Sequence, residues 1–123
     1  MFQDGSAEKA MELYTSLFPA SRIESIERYG DEEPERVGTV KVASFTLNGH
    51  ALMCIDSPPV HAFNFTPSVS LFVNVADEQE FEKVFNTLSM EGQVLMPPDN
   101  YGFSKRYAWV NDRFGVSWQV SIP

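Results

Sequence analysis

The chain has 123 residues, enough for one domain with a core of its own. Hydrophobic residues make up 43% and aromatic residues 13%, with ten Phe, which excludes a disordered chain. A formal net charge of −8 without a cluster of Lys and Arg excludes nucleic acid as a partner, and no apolar run approaches the ~20 residues that span a membrane.

Ser6 is placed to cap a first helix, whose apolar face is Ala7, Ala10, Met11, Tyr14, Leu17 and Phe18. Pro19 stops it. Residues 21–29 alternate imperfectly, with Ile23, Ile26 and Tyr29 apolar, and read as a strand. The acidic run 31–36 reads as a solvated loop. Residues 37–47 form a longer strand, and Asn48-Gly49 is a two-residue hairpin turn, since both positions tolerate positive φ. Residues 50–56 return as a strand that Ser57-Pro58-Pro59 closes. The segment up to Pro67 reads as a crossover.

The second half repeats the order. Residues 68–75 form a strand with Val69, Leu71, Val73 and Val75 on one face and Ser68, Ser70, Phe72 and Asn74 on the other. Asp77 caps a second helix, with Phe81, Val84, Phe85 and Leu88 on its apolar face, and Gly92 ends it. Residues 93–96 form a short strand closed by Pro97-Pro98, and 99–104 a loop. Strands at 106–110 and 116–122 flank the turn 111–115, where Asp112 opens the turn and Gly115 takes the strained position. The last strand sets Val116, Trp118, Val120 and Ile122 against Ser117, Gln119 and Ser121. A sheet with helices on one face and a wet cavity on the other alternates this way. The repeat divides a single domain, 1–123, into a module 1–60, a crossover 57–67 and a module 68–123. Two such modules facing each other would enclose a cup.

The matching stretches are residues 10–18, Phe45-Thr46-Leu47-Asn48-Gly49, Ser70-Leu71-Phe72-Val73 and residues 107–119, with Trp109-Val110-Asn111-Asp112-Arg113-Phe114-Gly115 at their centre. Through them the chain resembles the vicinal oxygen chelate superfamily of glyoxalase I, extradiol dioxygenases and bleomycin-resistance proteins. Within it the chain looks similar to the PhnB-like group, often labelled 3-demethylubiquinone-9 3-methyltransferase. The resemblance implies an α+β fold of two βαβββ modules forming a cup-shaped mixed sheet. Only Met1-Phe2-Gln3 precedes the first helix, so the leading strand of module one is expected to be short or missing, with a partner chain covering the edge.

Metal-dependent members hold His or Glu at four pocket positions. Here the matched positions hold Met53, Ser70 and Gln119, and the remaining one falls at or before Met1. No metal and no cofactor is therefore expected. The methyltransferase label is rejected, because no Gly-x-Gly turn exists and the chain is too short for that sheet. The expected pocket lining is Met53, Ser70, Phe72, Tyr107, Trp109, Ser117 and Gln119, with no catalytic residue named. His50 reads as an exposed strand start, and His61 as a structural or interface residue of the crossover. Cys54 reads as a buried small hydrophobe, and Asp56 as a cap on the turn at Ser57. The single cysteine leaves no internal disulfide, and no apolar leader precedes the first helix, which points to the cytoplasm. The function expected is metal-independent binding of a small organic ligand by a homodimer. The alternative is a glyoxalase-type lyase, isomerase or dioxygenase whose metal site draws on His50, His61, Asp56 and Gln119.

Overall fold

The computed structural model describes all 123 residues. It contains helices α1 (Ala7–Leu17) and α2 (Glu78–Ser89) and strands β1 (Arg22–Arg28), β2 (Val40–Leu47), β3 (His50–Cys54), β4 (Leu71–Asn74), β5 (Gln93–Asp99), β6 (Arg106–Asn111) and β7 (Ser117–Ile122). The chain divides within the crossover segment into two compact units, Met1–Asn64 and Phe65–Pro123.

In the first unit β1, β2 and β3 form an antiparallel sheet in sequence order. The hairpin between β2 and β3 turns at Asn48 and Gly49, with φ of 50° and 84°, as expected of that dipeptide. The buried side of α1 carries Ala7, Ala10, Met11, Tyr14 and Leu17. These residues recur at three- and four-residue steps, so one stripe of the helix is shielded by Ala43, Phe45 and Leu47, which are buried on β2. The leading strand of this unit is a one-residue remnant. Phe2 makes a parallel bridge with Asp56: its N–H donates to the Ile55 carbonyl at 2.9 Å, and its carbonyl accepts from Ser57 at 2.7 Å.

The expected Ser6 cap is not made. Ser6 occupies the cap position, but its hydroxyl bonds the Asp4 carboxylate instead. The first free N–H of α1, on Ala7, donates to Oδ1 of buried Asp56 at 3.0 Å. The other oxygen of Asp56 accepts from the N–H of Val40 at 2.8 Å. Asp56 therefore does not cap its own turn. It fastens the start of α1 and the start of β2 to the end of the β3 segment, and both of its oxygens hold buried N–H groups that have lost water.

The second unit has sheet order β4-β7-β6-β5, with β4 and β7 parallel and the other pairs antiparallel. Phe2 thus holds in the first unit the place that β4 holds in the second. Helix α2 opens on Asp77, whose carboxylate accepts from Glu80 N–H at 2.9 Å, while the Glu80 carboxylate reaches back to Ala76 N–H at 2.8 Å. Phe81, Val84 and Leu88 are fully buried, as are Ala108, Val110, Trp118 and Val120 of the sheet. Arg106 closes the side of this core. Its guanidinium lies 4.9 Å from the Phe81 ring centroid and pairs with Glu78 and Glu82 at 2.7 and 2.8 Å.

Other local expectations change. Strand β2 starts at Val40, not at residue 37, because residues 37–39 turn through Gly38 at φ 83°. Strand β4 starts at Leu71, not at residue 68, and Val69 is 80% exposed. Its partner β7 begins at Ser117, so nothing remains to pair with Val69, and Pro67 and Ser68 turn the chain away. Strand β5 continues through Pro97 and Pro98 to Asp99, because an edge strand tolerates residues without an N–H. At the end of α2, Glu91 and not Gly92 takes the left-handed conformation, at φ 59°. Gly92 serves another purpose: a Cβ there would stand 2.2 Å from the backbone oxygen of Asn111.

Candidate functional site

The face of the second sheet turned away from α2 is built by alternation. Arg106, Ala108 and Val110 of β6 and Trp118, Val120 and Ile122 of β7 point one way. Tyr107, Trp109, Ser117 and Gln119 therefore point the other way, in antiparallel register: Trp109 pairs with Gln119, and Asn111 with Ser117. Strand β4 adds Phe72, which pairs with Gln119, and Ser70 lies just before its first residue.

The polar groups on this face bond one another in two sets. The Tyr107 hydroxyl donates to Oε1 of Gln119 at 2.7 Å. The Trp109 indole N–H donates to Oγ of Ser117 at 2.8 Å, and that hydroxyl shares a 2.7 Å hydrogen bond with Ser70. Burial, and then the neighbouring Tyr101, push the Tyr107 phenol above its ordinary pKa, so it remains a protonated donor. The Gln119 amide nitrogen has no protein acceptor.

Six of the seven expected lining residues therefore share one unit and one face. Met53 belongs to the first unit, where it pairs with Ser44 across β2 and β3 and is 71% exposed. Two aromatic residues on this side were not read from the sequence. Tyr101 and Phe103, in the loop after β5, make edge-type ring contacts with Tyr107 at centroid distances of 5.6 and 4.8 Å. Phe72 lies 6.4 Å from the same ring. Loop residues carry no periodic signal, so only their aromatic character could have marked them.

The remaining candidates have other settings. His50 is exposed at the start of β3, and His61 is exposed in the crossover, with its ring 5.0 Å from Phe63. Cys54 is buried, and loss of water around the sulfur pushes its thiol up to about 11, with the Asp56 charge adding to the effect. A thiol held that high is a poor nucleophile near neutrality. Asp112 is a turn device, as expected. One of its oxygens accepts from Phe114 and Val116 N–H at 2.8 and 3.0 Å, and the other from the Trp118 indole at 2.9 Å.

The residues that the resemblance sets at the superfamily's metal positions are poor ligands for a zinc, nickel or iron ion. Met53 offers a thioether, the Ser70 hydroxyl is bonded to Ser117, and the Gln119 oxygen accepts from Tyr107. None carries a charge. Asp56 has both oxygens committed to backbone N–H groups. No group of three or more His, Cys, Asp or Glu side chains gathers anywhere in the chain.

Two small α+β modules, each a helix over antiparallel strands with a parallel leading strand, define the glyoxalase/bleomycin-resistance class of fold. A glyoxalase-related enzyme from Fulvimarina pelagi shares this fold at TM-score 0.61 and 18% identity, over 99% of this chain and 84% of that one. The family is narrower: the model described as 3-demethylubiquinone-9 3-methyltransferase matches residues 1–121, and the chain belongs to that PhnB-like family. A Bacillus cereus structure described as a putative 3-demethylubiquinone-9 3-methyltransferase, PhnB protein, is 50% identical. It superposes at TM-score 0.95, covering 100% of this chain and 95% of that one. Protein PA1353 from Pseudomonas aeruginosa is 26% identical at TM-score 0.82, over 99% and 92% of the two chains. No curated protein matches the chain. The methyltransferase wording finds no support in the fold: only β4 and β7 among the named strands pair in parallel, and no Gly-rich turn joins a strand to a helix.

Proposed function

We propose that the protein binds a small organic molecule, without a metal, on the face of the second sheet formed by Ser70, Phe72, Tyr107, Trp109, Ser117 and Gln119. The observation that carries this reading is the pairing of Tyr107 with Gln119 beside an amide nitrogen that no protein group satisfies. Polar side chains that fix one another's orientation among aromatic rings are what a small-molecule site is made of. The groups are neutral, none is paired as nucleophile and base, and so the reading is binding and not turnover.

The test is a thermal-shift screen of small molecules on protein treated with a chelator. Ligands that stabilise the wild type and fail to stabilise Gln119→Leu support the reading. Stabilisation that appears only after a transition metal is added would overturn it.

We also propose that the chain acts as a homodimer in the cytoplasm. Val60 and Phe63 of the crossover expose apolar surface that association would cover, and the lone cysteine suits a reducing compartment. No helix is long and apolar enough to cross a membrane. A monomer mass by sedimentation at micromolar concentration would remove the dimer.

A further inference from the structure

The loop after β5 presents aromatic rings in a manner that core packing does not require. Tyr101 and Phe103 are 38% and 62% exposed, and Phe72 is 53% exposed, while Tyr107 between them is 4% exposed. The exposed rings are held in place. Asp99 accepts from Asn100 N–H at 2.7 Å, Asn100 Oδ1 from Gly102 N–H at 2.6 Å, and the Tyr101 hydroxyl donates to the Pro97 carbonyl at 2.5 Å. Tyr101 itself sits at φ 55°, a left-handed conformation that a side chain this large rarely adopts. Such a conformation persists only where its surroundings enforce it. The planes of Tyr101 and Phe103 lie within 26° of each other, with centroids 6.5 Å apart.

Three features of this region select among ligands. The exposed groups are aromatic rings, which favour a flat π-system over a saturated ring of equal size. The polar group beside them is the Gln119 amide nitrogen, a donor, which calls for an acceptor atom on the ligand. The net charge of −8 disfavours an anion. Resting on the binding reading above, we propose that the ligand is an uncharged planar aromatic molecule bearing a carbonyl or equivalent acceptor. It stacks on the wall of Phe72, Tyr101 and Phe103 with its acceptor toward Gln119. The Tyr101 ring of the wall is fixed in place by its hydroxyl bond to Pro97, which lowers the ordering that binding requires.

The experiment compares 2-naphthamide with decahydro-2-naphthamide, which keeps the amide and the carbon skeleton and loses the π-system. Each is titrated into the full chain and followed by NMR chemical shifts. The expected result is that 2-naphthamide binds about fivefold or more tighter, with shifts at Tyr101, Phe103 and the Gln119 amide. Phe103→Ala should weaken it by about 2- to 10-fold, the range expected for one aromatic contact. Phe103 is exposed, so the variant should keep the wild-type melting temperature. Equal affinity for the two amides, or shifts confined to other residues, would overturn the inference and leave the binding reading standing. No binding of either amide, alongside ligands from the thermal-shift screen that act through Gln119, would overturn it as well. If Phe103→Ala instead converted a dimer to a monomer, the wall would be a subunit interface and the inference would fail.

Discussion

Asp56 is the carboxylate on which the first unit turns, and its replacement by Asn separates the structural account from the sequence reading. Both oxygens accept from buried backbone groups, Ala7 N–H at 3.0 Å and Val40 N–H at 2.8 Å. Asn keeps one oxygen and sets an NH2 group against the other N–H, donor against donor. A buried donor left without a partner costs about 1–3 kcal/mol. Removing a negative charge from the N-terminus of α1 adds about 0.5–1 kcal/mol. The sum, about 1.5–4 kcal/mol, corresponds for a chain of this size to a fall in melting temperature of roughly 6–16 °C. Asp56→Ala, which strands both N–H groups, should cost more. Ser6→Ala is the control. If Ser6 capped α1 through its side chain, its removal would cost about 1 kcal/mol. Because that side chain bonds only Asp4, the expected cost is below about 0.5 kcal/mol. Thermal unfolding by circular dichroism, with urea midpoints as a check, measures all three. Asp56→Asn within about 1 kcal/mol of the wild type, or Ser6→Ala costing more than Asp56→Asn, would refute the reasoning.

Gly92→Ala should fold poorly or not at all, since its Cβ would meet backbone at 2.2 Å, while Gly38→Ala, where no atom lies within 4 Å, should cost only the strain of its positive φ; soluble yield and melting temperature read the difference. Cys54 should resist iodoacetamide at pH 8 in the native protein and react once urea is added, because burial holds its thiol up at about 11; rapid native labelling would contradict its burial. The Arg28 guanidinium grips Glu8 at 2.6 and 2.7 Å and holds that carboxyl below its usual pKa of 4.5. A depressed carboxyl pKa stabilises the folded state above the unfolded value and loses that contribution as the pH falls through the folded value. Glu8→Gln should therefore cost less than about 1 kcal/mol at neutral pH, because the pair is exposed, and nothing once both forms of Glu8 are protonated. A larger cost at pH 3 than at pH 7 by urea titration would reverse the sign.

The sequence exposed its regular parts through alternation and turn chemistry. The stripes of α1 and α2, the Asn48-Gly49 hairpin, the Asp77 cap and the alternation along β6 and β7 all follow from one residue's preference or one period, and each is seen. The same alternation placed Ser117 and Gln119 opposite Trp118 and Val120, and so revealed the polar face of the second sheet. What stayed hidden depends on partners far apart in the chain. Nothing local marks Asp56 as the cap of a helix 49 residues upstream, and its neighbour Ser57 made the turn the natural reading. The close approach of Gly92 to Asn111 is invisible until β5 and β6 pair. Val69 looked buried by alternation, but its strand has no neighbour at that position. Tyr101 and Phe103 belong to no period at all, and only the fold sets them against Tyr107.

The central claim is that Gln119 and its neighbours bind an organic ligand without a metal. The most direct measurement is an NMR titration of chelator-treated protein with the tightest ligand from the thermal-shift screen, following the Gln119 side-chain amide and the Trp109 indole N–H. Both resonances should move together and saturate at one ligand per chain, with the same affinity after zinc, nickel or iron is restored. Stationary Gln119 and Trp109 signals, or saturation only in the presence of metal, would contradict the account.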